Sequence, residues 1–172
     1  MLLMCATSSA QMKWNQSYQT YINQYKDLAI EQMLRYRIPA SITLAQGLFE
    51  SRAGQSDLAR QGNNHFGIKC HNWTGPTQYH DDDAHGECFR VYQDAKESYE
   101  DHSRFLAKQP RYSRLFSLNT TDYKGWAHGL KSCGYATNPQ YANKLIQIIE
   151  LYRLQDYDKA KSYDRFMATH SG

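Results

Sequence analysis

Glu50 stands at the end of an apolar run, directly after Leu48-Phe49, where a carboxyl group is out of character with its neighbours. Desolvation by apolar side chains and the negative end of a helix would both raise its pKa. A carboxylic acid kept protonated near neutral pH can give its proton to a leaving oxygen, which is what general-acid cleavage of a glycosidic bond requires. Position alone also admits a plainer reading, in which Glu50 turns to solvent and pairs with a surface base such as Arg52.

Asp81-Asp82-Asp83 is the second acidic feature. With His65, Cys70, His71, His80, His85 and Cys88 nearby in sequence, the region is rich in metal-ligand atoms. Only His80 and His85 approach a metal-site spacing, and they flank a turn, so no metal is assigned. Calcium is disfavoured as well, because the aspartates are consecutive rather than alternating around a central glycine. Along a strand Asp81 and Asp83 would share one face and Asp82 the other, so the three cannot act together. A solvated acidic strand that discourages edge pairing is the alternative.

The elements that must position these residues are mostly helices. Tyr18, Tyr21, Ile22, Tyr25 and Ala29 repeat at helical spacing and predict an amphipathic helix over 16–36. Pro39 suits the first turn of a second helix, apolar on most sides and therefore buried, with Gly54 as its stop. From Gly62 to Tyr92 the helical period vanishes, and 77–83 with 87–92 flank Ala84-His85-Gly86 as a hairpin. Asp94, with Glu97 three residues on, caps a helix whose inner face is Tyr99, His102, Phe105 and Leu106. Tyr123, Trp126, Ala127 and Leu130 form another stripe ended by Gly134, which makes Trp126 a core residue. Asn138-Pro139 reads as an N-cap followed by proline at the first helical position, ahead of the stripe Tyr141, Leu145, Ile148, Ile149, Tyr152. The fold class is α+β, predominantly α-helical, as a single domain.

Composition narrows the function classes. The chain has 172 residues, 20 Lys+Arg against 17 Asp+Glu, and a net charge of +3. That excess is too mild and too scattered for a dedicated nucleic-acid binder. No apolar stretch nears the ~18 residues of a spanning helix, and 13% aromatic residues argue against disorder. Residues 1–10, MLLMCATSSA, are apolar and then small, which reads as the remnant of a signal peptide and implies export to a periplasmic or extracellular space. In an oxidising compartment Cys70 and Cys88 are expected to pair across the loop that carries the aspartates, leaving Cys133 as a free thiol; unpaired core cysteines or zinc ligands are the alternative.

The ordered motifs Ala45-Gln46-Gly47-Leu48-Phe49-Glu50-Ser51-Arg52-Ala53-Gly54-Gln55-Ser56, Asn64-His65-Phe66-Gly67-Ile68-Lys69, Phe89-Arg90-Val91-Tyr92, Pro110-Arg111-Tyr112 and Gly134-Tyr135-Ala136-Thr137-Asn138-Pro139-Gln140-Tyr141-Ala142 cover the greater part of the chain. In this order they resemble the glucosaminidase-type peptidoglycan hydrolases, glycoside hydrolase family 73. The resemblance implies a lysozyme-like fold with a small β-hairpin beside the cleft. It also implies hydrolysis of the β-1,4 bond between N-acetylglucosamine and N-acetylmuramic acid in bacterial cell walls.

It places the general acid on Glu50. The family's second carboxylate is a Glu in the first hairpin strand, which this chain lacks; counting back from Gly86 aligns Asp82, a slip of one residue favours Asp83 or Asp81, and Glu87 is an outsider. Tyr135, Tyr141, Tyr112 and Phe66 are the expected sugar-binding residues, with Trp73 a further cleft-wall candidate. Core packing suits Tyr141 equally well, because it opens an apolar stripe. Asn138 replaces a family Asp and so keeps a cap but loses a charge. Residues 11–156 form the expected catalytic domain, ahead of a polar tail at 157–172. The protein is expected to act as a monomer on glycan strands, without cofactor, nucleic acid or membrane segment. A lytic transglycosylase and a catalytically weak wall-binding module are the rival functions.

Overall fold

The computed structural model describes residues 11–80 and 86–162. Helix α1 (Gln16–Tyr36) begins where the Asn15 side chain accepts the Ser17 N–H, and ends at Arg37 in the left-handed region. Its inner stripe of Tyr21, Ile22, Ala29, Ile30 and Met33 is buried. Helix α2 (Ala40–Glu50) is the centre of the molecule, with every residue from Ala40 to Leu48 buried. Such a helix can lose its polar face because other elements cover it all round. They are α1, α5 (Tyr123–Ser132), α6 (Tyr141–Leu151) and the 3₁₀ segment Leu154–Lys159. Trp126, Leu130, Leu145 and Ile149 complete this core with no exposed surface, as the helical stripes predict.

A short helix α3 (Asp57–Gly62) follows α2, capped by Ser56 through a bond from the Ala59 N–H. Strands β1 (Thr77–His80) and β2 (Glu87–Arg90) pair antiparallel, Thr77 opposite Arg90 and His80 opposite Glu87. The expected hairpin is therefore present, while Asp81, Asp82 and Asp83 lie outside the described residues. Helix α4 (Ala95–Lys108) starts on the Asp94 cap, and Glu97 reaches back to the N–H of Gln93. A 3₁₀ segment, Pro110–Ser117, leads on to α5.

Two boundaries differ from those expected of the sequence. Helix α6 starts at Tyr141 rather than at Pro139, because Asn138 closes a separate turn: its side chain accepts the Gln140 N–H and its carbonyl accepts that of Tyr141. The polar tail also begins later than 157. Asp158 is buried and accepts from both the backbone N–H and the hydroxyl of Ser41, which fastens the chain's last described turn to the start of α2.

The Cys70–Cys88 disulfide is formed, with Cα atoms 5.4 Å apart. Next to it the Cys70 N–H donates to the Cys88 carbonyl, so the loop after Phe66-Gly67-Ile68 runs alongside β2. Cys133 is a free, half-buried thiol that accepts a hydrogen bond from Arg114 Nε at 3.2 Å.

Candidate active site

The last residue of α2, Glu50, opens onto a cleft of about 260 Å³. Phe66, Gly67, Ile68, Lys69 and His71 line it together with Phe105, Arg111, Tyr112 and Tyr135. Most of these wall residues belong to the family-like motifs. Asn64 accepts the Ile68 N–H and donates to the carbonyls of Ile68 and Arg90, tying the Phe66–Lys69 turn to β2. Ser51 donates to the Gly47 carbonyl and accepts from the Gly54 N–H, which turns the chain sharply after Glu50.

Two glycines are required by geometry. Gly67 has φ +63°, and a Cβ there would sit 3.9 Å from Glu50 Oε2, so the backbone passes close to the carboxyl group in a conformation that favours glycine. Gly47 lies inside α2 beneath two hydroxyls. A Cβ at that position would fall 2.8 Å from the Tyr21 oxygen and 2.9 Å from the Tyr99 oxygen. Those hydroxyls bond to each other at 2.8 Å, and the Tyr21 hydroxyl also bonds to His65 Nδ1.

Glu50 is half-buried at the cleft floor, and burial pushes its pKa up to about 7, against a hydrogen bond from Tyr141 that pulls the other way. A carboxyl group shifted toward neutrality in this way is suited to giving up a proton near neutral pH. Among the described residues it is the one carboxylate that lines the cleft. Glu87 does not line the cleft itself but forms an ion pair at 2.6 Å with Lys69, which does. The outward-facing Glu50 paired with Arg52 is not what the chain adopts.

Of the expected sugar-binding residues, Tyr135 is half-buried and lines the cleft. Phe66 and Tyr112 also line it but have almost no exposed surface, so they shape its wall. Tyr141 is not a sugar platform. Its ring is 1% exposed, stacked 5.7 Å from Tyr135, and it meets the site through its hydroxyl on Glu50. Trp73 is away from this cleft, in a separate depression with Gln93 and Asp94, and its ring packs on Tyr92. The sequence alone assigned no cleft role to Lys69, His71, Phe105 or Arg111. The first and last of these stand inside the family-like motifs, and Arg111 lies over the Tyr112 ring at 4.7 Å.

The family described as Mannosyl-glycoprotein endo-beta-N-acetylglucosaminidase matches residues 26–154. The chain belongs to the glucosaminidase family. It is 35% identical over 136 residues to the exo-glucosaminidase LytG of Bacillus subtilis, covering 73% of this chain and 48% of that one. The catalytic domain of the autolysin Auto from Listeria monocytogenes superposes with a TM-score of 0.70 at 30% identity, over 86% of this chain and 91% of that one. The glycoside hydrolase domain of Salmonella typhimurium FlgJ superposes with a TM-score of 0.68 at 26% identity, over 88% and 98%. This glucosaminidase chain spans about half the length of the curated relatives it matches. Its architecture is the lysozyme-like one expected, helices with a two-stranded hairpin beside the cleft.

Proposed function

We propose that this chain hydrolyses the β-1,4 bond between N-acetylglucosamine and N-acetylmuramic acid in peptidoglycan, with Glu50 as the general acid. The observation that carries the reading is the half-buried Glu50 carboxyl group, lifted toward neutrality by burial, on an open cleft walled by aromatic residues. Relatives that bear the names exo-glucosaminidase and peptidoglycan hydrolase support the substrate class. Tyr135 offers a ring for the C–H face of a sugar. Arg111 at the cleft suits the carboxylates of an anionic wall glycan. Glu50 protonates the leaving oxygen, and Asp82 or a neighbouring aspartate activates water or stabilises the oxocarbenium-like transition state.

In the alternative reading a single acid, Glu50, suffices. The substrate's acetamido group then serves as nucleophile, or the products are anhydro sugars, as from a lytic transglycosylase. Action takes place outside the cytoplasm, which the Cys70–Cys88 disulfide supports. No helix among the described residues is long and apolar enough to cross a membrane.

Mass spectrometry of fragments released from purified cell wall tests the proposal. Hydrolysis gives reducing N-acetylglucosamine ends, transglycosylation gives anhydro ends, and a binding module gives no product. Glu50→Gln must remove whichever activity is found.

A further inference from the structure

Behind Glu50 three side chains form a hydrogen-bond chain that runs in one direction. His102 and Gln46 have no exposed surface and Tyr141 has 1%. His102 Nε2 lies 2.9 Å from Gln46 Oε1, Gln46 Nε2 donates to the Tyr141 oxygen at 2.9 Å, and the Tyr141 hydroxyl interacts in turn with Glu50. A primary amide has an acceptor end and a donor end, so each link sets the sense of the next. With Oε1 facing the imidazole, His102 Nε2 carries the proton. With the Gln46 amide N–H on the phenol oxygen, the phenol proton is left for Glu50.

We propose that His102 and Gln46 are positioning residues that lock the Tyr141 hydroxyl as a donor to Glu50, and so leave the proton of the acid on its other oxygen, toward the cleft. This rests on the reading of Glu50 as the general acid. Two further observations support it. Phe66, a cleft-wall residue, lies nearly flat on His102, ring centroids 3.9 Å apart at 17°, which holds the imidazole in place. His102 Nδ1 is buried with no hydrogen-bond partner among the described residues. An orphaned buried acceptor is destabilising, a cost that a leucine or phenylalanine would avoid if packing were the only need. The ring is also neutral, since burial pulls its pKa down to about 3, so the chain brings direction to Glu50 without bringing charge.

Removing the His102 N–H frees the Gln46 amide to turn over and offer Oε1 to Tyr141. The phenol then donates to Gln46, and Glu50 loses a bond that favours its charged form, which moves its pKa up.

The test is kcat and KM against pH on soluble uncrosslinked glycan strands, for wild type, His102→Leu, Gln46→Met, His102→Gln and Glu50→Gln. His102→Gln keeps an N–H near the place of Nε2. The other titratable or charged groups around Glu50, namely Lys69, His71, Arg111, Tyr112 and Tyr135, are unchanged in every variant. His102→Leu and Gln46→Met should lower kcat about 10–100-fold with KM changed less than about threefold. Their alkaline limb of kcat should move to higher pH, and His102→Gln should return both kcat and the limb toward wild type. A merely structural role would lower the folded fraction, read by thermal melting, without moving the limb. If His102→Leu does not fold, Gln46→Met, which breaks the chain at its middle, decides by the same two readings. Either variant within twofold of wild type, an unmoved limb, or His102→Gln as impaired as His102→Leu overturns the proposal. Glu50→Gln inactive beside an unaffected His102→Leu would refute the relay alone, whereas an active Glu50→Gln would refute the general acid itself.

Discussion

Asp158 and Ser41, 117 positions apart, are bonded twice: the aspartate accepts the Ser41 backbone N–H at 2.8 Å and the Ser41 hydroxyl at 2.5 Å. Ser41 lies in the first turn of α2, the helix whose last residue is Glu50. The chain end thus satisfies donors at one end of the helix that presents the carboxyl group at the other. Asp158→Ala should cost about 1–2 kcal/mol, the usual loss when a helix-terminal N–H and a buried hydroxyl lose their acceptor. A chain ended after Asp156 should lose at least as much. Urea denaturation of both variants checks this; midpoints equal to wild type would show that the bonds contribute nothing.

Glu50→Gln should trade activity for stability. Loss of a general acid commonly costs ~10²–10⁴-fold in rate. The sign of the stability effect follows from the pKa. Glu50 titrates at about 7 when folded, against an ordinary 4.5, so between those values the folded chain binds a proton that the unfolded chain does not. The contribution of Glu50 to wild-type stability therefore falls as pH rises from about 4.5 through 7, whatever the buried histidines add in the same range. The glutamine variant lacks this fall, and at pH 8 should be more stable by about 1–3 kcal/mol, with no difference at pH 4. Thermal melts at the two pH values measure it, and an equal difference at both would contradict the assignment. The alkaline limb of wild-type kcat should lie near the same pH.

Gly47→Ala should destabilise, although alanine is the better helix former. The added methyl would lie within 3 Å of both the Tyr21 and Tyr99 hydroxyls and force the pair apart. Overpacking of this kind typically costs about 1–3 kcal/mol, which exceeds the ~1 kcal/mol that alanine gains in propensity. A melting temperature at or above wild type would mean that the two rings yield freely.

Asn substitutions at Asp81, Asp82 and Asp83 should be unequal, with Asp82→Asn the most harmful to wall cleavage. Full activity in all three would move the second role to the substrate's acetamido group or to Glu87.

Cys88→Ser should loosen the hairpin before the helices unfold. The bridge joins residues 18 apart, and closing such a loop is worth about 3 kcal/mol in the chain-entropy account. Activity should fall under mild reductant while helical circular dichroism stays constant. Loss of both signals together would instead tie the bridge to the core.

The long helices were legible because an apolar stripe repeated over three or more turns fits little besides a helix, and α1 matches its expected range residue for residue. Helix α3 has six residues and the 3₁₀ segments eight and six, too short for a period to emerge. Glu50 could be found because a carboxyl group breaks an apolar pattern. His102 and Gln46 could not be linked to it, since they are 56 positions apart and look like ordinary helix-face residues until folding brings them together. Tyr141 was ambiguous between cleft and core for a physical reason: its ring packs in the core while its hydroxyl reaches the site. Asp158 was hidden because a charged residue after the last apolar stripe reads as solvated tail, and only its distant partner makes burial tolerable.

The Cys70–Cys88 bridge also bears on the cleft. It fastens the Phe66–Lys69 side of the cleft to the hairpin, and it can form only where thiols are oxidised. A chain with both thiols reduced would hold Glu50 on its helix yet lack this clamp on the Phe66–Lys69 turn. The shape of the cleft wall is thus set in part by a covalent bond that answers to the redox state of the surroundings and not to the amino-acid packing alone.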